Sequence, residues 1–157
     1  MWIENKGQQR AERVQVFAAR LSLKHADGLF REVKSFLPMN LRWSNSQPNA
    51  PLIFADINPA MGRHCDLGTI SDPANTTIAP LRGVDAGQVS LDLALEVSPN
   101  SQSHRLAPGC YQLELRIGGA NARPVSRTIE INFSGRWYPD VSDMFKNGIG
   151  IKRPDRR

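Results

Sequence analysis

The feature that most constrains the fold is a two-residue alternation of apolar and polar side chains in the second half of the chain. It runs through residues 88–97, 110–117 and 125–133. The apolar positions expected to face inward are Val89, Leu91, Leu93, Leu95 and Val97, then Tyr111, Leu113, Leu115 and Ile117, then Val125, Ile129, Ile131 and Phe133. Successive side chains of a strand point to opposite faces, so this pattern predicts three half-buried β-strands. The glycines and the Asn between residues 118 and 124 predict that the last two form a hairpin.

The first half of the chain alternates less regularly. Val14, Val16 and Ala18 precede Leu21 and Leu23, with a slip at residues 19–20 that a β-bulge explains. The good helix formers between residues 8 and 23 leave a helix as the alternative, but the apolar spacing favours a strand. Shorter strands are predicted at residues 2–5, 29–36, 39–44, 52–57 and 65–70, with loops rich in Asn, Ser and Pro between them.

These strands predict an all-β fold, an antiparallel β-sandwich of about seven to nine strands. No segment between strands has the helical periodicity that a crossover in a parallel sheet would need. Residues 1–139 are expected to form the sandwich domain, and residues 140–157 a short C-terminal helical or irregular tail. In this basic C-terminal tail Val141, Met144 and Phe145 match one face of a short docking helix.

The sequence around Tyr111 resembles a corner found in immunoglobulin-like and fibronectin type III-like domains. Residues 106–111 read Leu-Ala-Pro-Gly-Cys-Tyr, with Pro108 and Gly109 at the bend. The resemblance implies that the Tyr111 hydroxyl hydrogen-bonds to backbone just upstream, because a buried phenol needs a partner. The antibody pattern is not followed at the cysteine, since Cys110 precedes the tyrosine and does not follow it by two residues.

The N-terminal sequence also resembles bacterial adhesion-type immunoglobulin-like modules. Residues 3–7 read Ile-Glu-Asn-Lys-Gly, and residues 11–16 read Ala-Glu-Arg-Val-Gln-Val. In those modules an edge strand ends at an Asn-x-Gly turn, and the next strand begins with a small residue and alternating valines. Strand-like sequence begins within two residues of Met1, so we expect a domain of a larger bacterial protein. Neither resemblance implies an activity.

The largest aromatic residues have structural interpretations. Trp43 shares a face with Leu41, which predicts that it packs between the sheets. Trp137 and Tyr138 follow the last clear strand; they either close one end of the sandwich or display an aromatic contact surface beside Arg136. Tyr111, Trp43, Pro108 and Gly109 are therefore predicted to be structural residues.

The sequence offers no arrangement typical of catalysis or of a bound metal or cofactor. His64, Cys65 and Asp66 are consecutive, so on a strand they alternate faces and do not converge on one ion. The same geometry separates the Cys65 thiol from the His64 imidazole. A thiol-dependent or metal-dependent enzyme remains an unfavoured alternative, and we expect no enzyme and no cofactor.

The charge distribution leaves a second class of function open. The net charge is +5, and the excess of Lys and Arg lies in residues 1–42 and 136–157. Lys152, Arg153, Arg156 and Arg157 could contact phosphates, although no stacking aromatic residues lie beside them. A basic domain that binds nucleic acid or an anionic surface is therefore the alternative to a non-enzymatic module for protein–protein interaction or spacing.

The expected compartment follows from the N-terminus and the cysteines. Residues 1–6 lack the layout of an export signal, and no run approaches the roughly 18 apolar residues of a membrane span. A soluble cytoplasmic domain with free thiols at Cys65 and Cys110 is the first expectation. A disulfide between these two cysteines across the sheets stays open as the alternative.

Overall fold

The structure is a computed structural model that describes residues 1–47, 52–75, 81, 84–85 and 87–154. It is mostly antiparallel β-structure with one short helix near the C-terminus, as the alternation predicts. The described residues contain twelve strands: β1 (Trp2–Glu4), β2 (Ala11–Lys24), β3 (Phe30–Glu32), β4 (Met39–Asn40), β5 (Ala55–Ile57), β6 (Gly62–His64), β7 (Gly68–Ile70), β8 (Leu91–Leu93), β9 (Arg105–Leu106), β10 (Gly109–Gly119), β11 (Ala122–Phe133) and β12 (Ile149–Lys152).

This count exceeds the seven to nine strands expected from the sequence. Strands β6, β9 and β12 account for the difference, and each is only two to four residues long. A two-residue period cannot be recognised over so few positions. The predicted strand at residues 29–36 is also reduced to the three residues of β3, and Leu29 before it is 62% exposed.

The large sheet is built on three long strands. Its order is β12-β11-β10-β2-β3, and β10 and β11 form the predicted hairpin, with a turn at residues 120–121. The predicted slip in β2 is present, because Glu114 pairs with Arg20 while Leu115 pairs with Ala18, which leaves Ala19 as the extra residue of a bulge. The other side of β2 pairs in turn with β5, β4 and β3.

A small sheet has the order β7-β8-β9, and its buried side chains join the same hydrophobic cluster as those of the large sheet; β1 pairs with β6. The chain changes its pairing partners just after β4. Met39 and Asn40 pair with β2, whereas Leu41 bridges to Leu95 and Trp43 to Cys65. One short segment therefore connects β2 with residues just after β6 and β8.

One hydrophobic cluster contains the buried side chains of both sheets. Leu91 and Leu93 are 3% exposed and Leu113 is 0% exposed, as the alternation predicts. Trp43 is also fully buried, and its indole Nε1–H donates to the Ile53 carbonyl oxygen at 3.1 Å. The hydrogen bond satisfies the only polar atom of this side chain.

For two residues, the side of the strand predicted from the alternation is wrong. The sequence places Ala94 outward and Val97 inward, whereas Ala94 is 3% exposed and Val97 is 59% exposed. The Leu95 N–H donates to the Leu93 carbonyl oxygen at 2.9 Å, which is a tight turn and not a strand. This turn ends the alternation and buries Ala94 and Leu95 together.

The segment after Pro139 becomes part of the large sheet. A short helix α1 (Val141–Asp143), whose first N–H groups are capped by Asp140, continues into a π-helical turn at Met144–Gly148. Of the three residues expected on one docking face, only Met144 is buried; Val141 is 70% exposed and Phe145 is 63% exposed. The wider π-helical turn changes the angular spacing of these side chains. β12 then pairs with the end of β11.

Candidate functional site

The longest strand of the hairpin has an unpaired side. β12 pairs only with Glu130–Phe133 of β11. Within the part of the chain that the structure describes, no strand pairs with that side of β11 between Pro124 and Thr128. We call this stretch of backbone the open edge. Such an edge offers hydrogen-bonding groups to another strand.

Sheet geometry identifies the backbone groups that the open edge presents. The Ser134 N–H donates toward β12, to the Gly148 carbonyl oxygen at 2.8 Å. Backbone groups alternate in direction along a strand, and the β10–β11 register is regular from Val125 to Phe133. Ser126 and Thr128 therefore direct both N–H and C=O away from β10, while Pro124 has no N–H to offer.

A groove of about 620 Å³ lies along the open edge, on the inward face of the hairpin. Its lining includes Trp2, Ile117, Val125, Arg127, Ile129 and Arg153. Trp2 is 56% exposed and Val125 is 42% exposed, so much of this lining is apolar surface in contact with solvent. The sequence analysis placed Val125 inward, and it does lie on the inward face, but beyond the end of the core.

Two arginines give the groove a positive charge. Neither Arg127 nor Arg153 forms an ion pair with a described carboxylate. Lys152, by contrast, is bound to Glu130 at 3.2 Å, and Lys6 to Glu4 at 3.6 Å. The guanidinium Nη1 of Arg127 donates to the carbonyl oxygen of Ser126 at 2.9 Å.

The residues selected from the sequence as interaction candidates lie in different places. Arg153 lines the groove, whereas the Lys152 amine is occupied by Glu130. Trp137 and Tyr138 are half-buried and pack against the core, so they contribute less free aromatic surface than Trp2 does. Arg156 and Arg157 lie outside the described residues.

The sequence analysis did not identify Trp2, Val125 and Arg127 as site residues. One signal was available for Arg127. It occupies an inward position between Val125 and Ile129, where a core strand would carry an apolar side chain. A charge at such a position is a device by which proteins protect sheet edges, and it marks where the core ends.

The expected corner at Tyr111 is present in the structure. The Tyr111 side chain is 5% exposed, and its hydroxyl donates to the Ala107 carbonyl oxygen at 2.9 Å. Pro108 packs against Gly135, where an added Cβ would lie 2.3 Å from the Pro108 Cγ and φ is +76°. Gly109 begins β10 close to Leu23. The corner thus holds the start of β10 against two neighbouring segments.

Both thiols are free and poorly suited to act as nucleophiles. Burial raises the pKa of Cys65 to about 12, and its Sγ–H donates to the Arg42 carbonyl oxygen at 3.3 Å. Burial also raises the pKa of Cys110, with the Glu130 carboxylate adding to the effect. The neighbouring His64 is exposed and contacts the Trp2 ring, at 4.9 Å between ring centroids. A raised pKa reduces the thiolate fraction that a nucleophile needs.

A second, polar pocket of about 510 Å³ lies on the small sheet, beside Arg42, Asp92 and His104. Its charges are largely paired internally, because Arg105 binds Asp92 at 3.2 Å and also contacts the Ser90 hydroxyl. Burial lowers the pKa of His104, so the imidazole is neutral at pH 7. Its Nδ1 is buried and has no described hydrogen-bond partner.

The residues that the structure describes contain no group of three or more His, Cys, Asp or Glu side chains placed to hold a metal ion. They also contain no helix long and apolar enough to span a membrane.

Comparison with known proteins identifies no relative from which a site could be transferred. No family model, no curated protein and no solved structure matches the chain.

Proposed function

We propose that this chain is a non-enzymatic protein-interaction module that binds an extended segment by adding it as a strand at the open edge. The outward N–H and C=O groups of Ser126 and Thr128 carry the proposal, because they lie beside a groove that can receive the side chains of the added strand. Main-chain hydrogen bonds supply affinity in this mode of recognition, and pockets for alternate side chains supply specificity.

The scaffold that we propose for this module is an immunoglobulin-like β-sandwich from a larger bacterial protein. The Tyr111 corner and the single core shared by the large and small sheets support this assignment. In such a scaffold the long hairpin extends beyond the core, so its end can bind a partner without disturbing the packed centre.

The groove can accept the side chains that an added strand would direct inward. Successive residues of such a strand alternate in direction, so every second one would meet the groove. Burying exposed apolar surface stabilises the complex by roughly 25 cal/mol per Å². Trp2 and Val125 are the groove residues that offer such surface.

The first experiment selects binders from a random twelve-residue peptide library displayed on phage and maps them on the ¹⁵N-labelled protein by NMR. We expect the selected peptides to shift the Ser126 and Thr128 amide signals most strongly. No enriched peptide, or shifts confined to the polar pocket at Arg42 or to other surfaces, would overturn the proposal.

A pair of variants tests the role of the backbone directly. Ser126→Pro removes an N–H that points away from β10, as Pro124 already does, and should reduce peptide binding by tenfold or more. Ser126→Thr keeps the N–H and should bind as the wild type does. A dispersed NMR spectrum checks that each variant is folded. Equal binding by a folded Ser126→Pro variant would contradict strand addition.

The same protein should be titrated with a DNA duplex across a salt series. A mobility shift that weakens steeply with salt, without changes at the Ser126 and Thr128 amides, would favour the nucleic-acid or anionic-surface function instead. We expect no shift at physiological salt.

A further inference from the structure

The open edge also limits the charge of its partner, an inference that rests on the proposed function. We propose that the bound segment is an acidic strand of another protein, with a carboxylate opposite Arg127 and an apolar side chain two residues away, opposite Val125. A second copy of this chain is excluded from the same edge by charge.

The two arginines that lack ion pairs favour a carboxylate in the bound strand. Arg127 lies on the inward face of β11, and Arg153 follows the last residue of β12, where the open edge begins. An added strand places one inward side chain opposite Arg127, beside Arg153. An acidic side chain there meets two guanidinium groups, whereas a basic one adds a third positive charge.

The hydrogen bond that Arg127 forms in this structure links a carboxylate on the partner to the availability of a backbone acceptor at the open edge. Its guanidinium donates to the Ser126 carbonyl oxygen, which is an acceptor that an added strand must use. A carboxylate carries a full negative charge and can accept two parallel hydrogen bonds from one guanidinium, whereas the Ser126 carbonyl oxygen accepts one from Arg127. A partner carboxylate therefore draws the guanidinium away and frees the Ser126 carbonyl for a backbone N–H. A strand without a carboxylate leaves the displaced guanidinium to water, which binds it less favourably than an ion pair of good geometry does.

The apolar position follows from the lining of the groove. Side chains two residues apart lie on the same face of a strand, so the position next to the carboxylate on that face lies opposite Val125. Val125 and Trp2 leave apolar surface exposed there. The partner pattern is an acidic residue and an apolar residue separated by one position, in either chain direction.

Repulsion between like charges disfavours pairing between the open edges of two copies of this chain. If the pairing is antiparallel and centred on Ser126, Arg127 of each copy lies opposite Val125 of the other. The two Arg127 side chains are then diagonal neighbours, with Arg153 of each copy close by. Four positive charges would gather within a few residues and have no carboxylate among the described groove residues except Glu4, which binds Lys6. Such repulsion selects against self-association.

Three synthetic peptides test the inference. The acidic probe is acetyl-Thr-Glu-Thr-Val-Thr-Glu-Thr-amide, whose pattern reads the same in both directions. Its controls replace both Glu residues by Gln or by Lys. Dissociation constants come from NMR titration of the Ser126 and Thr128 amide signals. We expect the Glu peptide to bind at least about threefold more tightly than the Gln peptide at low salt, and the difference to shrink in about 0.5 M NaCl.

Variants assign the preference to Arg127. Arg127→Gln should reduce the discrimination between the Glu and Gln peptides, and Arg127→Gln combined with Arg153→Gln should remove it. Arg116→Gln is the matched control, because Arg116 is an exposed arginine on the opposite face of the neighbouring strand, and it should leave the discrimination intact. Undiminished discrimination in Arg127→Gln would overturn the assignment.

The outcomes separate the two proposals. Equal binding of the Glu and Gln peptides at the open edge, or tightest binding of the Lys peptide, would overturn the charge requirement and leave strand addition standing. No shift of the Ser126 and Thr128 signals with any peptide would overturn both. Sedimentation that shows a concentration-dependent dimer, abolished in Ser126→Pro, would overturn the exclusion of a second copy.

Discussion

Replacing Tyr111 by Phe tests whether the corner hydrogen bond holds the start of β10 in place. The substitution keeps the buried ring and removes only the hydroxyl that donates to the Ala107 carbonyl oxygen at 2.9 Å. A neutral hydrogen bond contributes about 0.5–1.5 kcal/mol net to stability. Ala107 is half-buried, so water can reach its carbonyl in part, and we expect a loss of about 1 kcal/mol.

Urea unfolding followed by circular dichroism measures this loss. For a chain of this size about 1 kcal/mol corresponds to a fall in the melting temperature of roughly 2–4 °C. Tyr138→Phe is the matched control, because the Tyr138 side chain is half-buried and its hydroxyl has no described hydrogen-bond partner. We expect the control to change stability by less than about 0.5 kcal/mol.

The stability difference between the wild type and Tyr111→Phe at alkaline pH provides a second readout, because a loss of packing alone would not depend on pH. Burial raises the pKa of Tyr111 above its usual value of 10.0. Above pH 10 the unfolded chain releases the phenol proton first, so the wild type loses stability as pH rises toward the folded pKa, and Tyr111→Phe does not. The stability difference between them should therefore narrow above pH 10. Equal stability of Tyr111→Phe and Tyr138→Phe at pH 7, or a difference that is independent of pH, would refute the reasoning.

Three further predictions concern the core and the buried titratable groups. Trp43→Phe leaves a cavity and an unpaired Ile53 carbonyl, so the free energy of unfolding measured in denaturant should fall by about 2–4 kcal/mol. A fall of less than about 1 kcal/mol would contradict the burial of the indole. Burial lowers the pKa of His104 below 6.5, so on acidification the unfolded chain protonates this imidazole before the folded protein does, and the free energy of unfolding should fall as pH drops below 6.5. His104→Gln should flatten that pH dependence. An unchanged slope in the variant would contradict the assignment to His104. Cys110 should react with a disulfide reagent in the native protein while Cys65 reacts only after unfolding, and equal native rates would show that Cys65 is accessible.

Side-chain alternation was sufficient to predict the long hairpin and the bulge in β2. Strand β10 has seven successive positions of correct alternation, residues 110–116, and the opposite faces of a strand impose that period on any half-buried sequence. The slip at Ala19 was visible because apolar residues continue on both sides of it. Short strands such as β6 and β12 lack enough positions for a period, so the sequence did not reveal them.

What the sequence by itself determined is the all-β class and inward positions such as Leu91, Leu93 and Leu113, because each follows from a local pattern of side chains. The hydrogen bond of Tyr111 was implied by the resemblance to immunoglobulin-like domains. Only the tertiary structure decided that β12 pairs with no more of β11 than Glu130–Phe133, which leaves the open edge beside Trp2, Arg127 and Arg153. Strand neighbours depend on hydrogen bonds between residues far apart in the chain, and no local pattern records which of those bonds remain unmade.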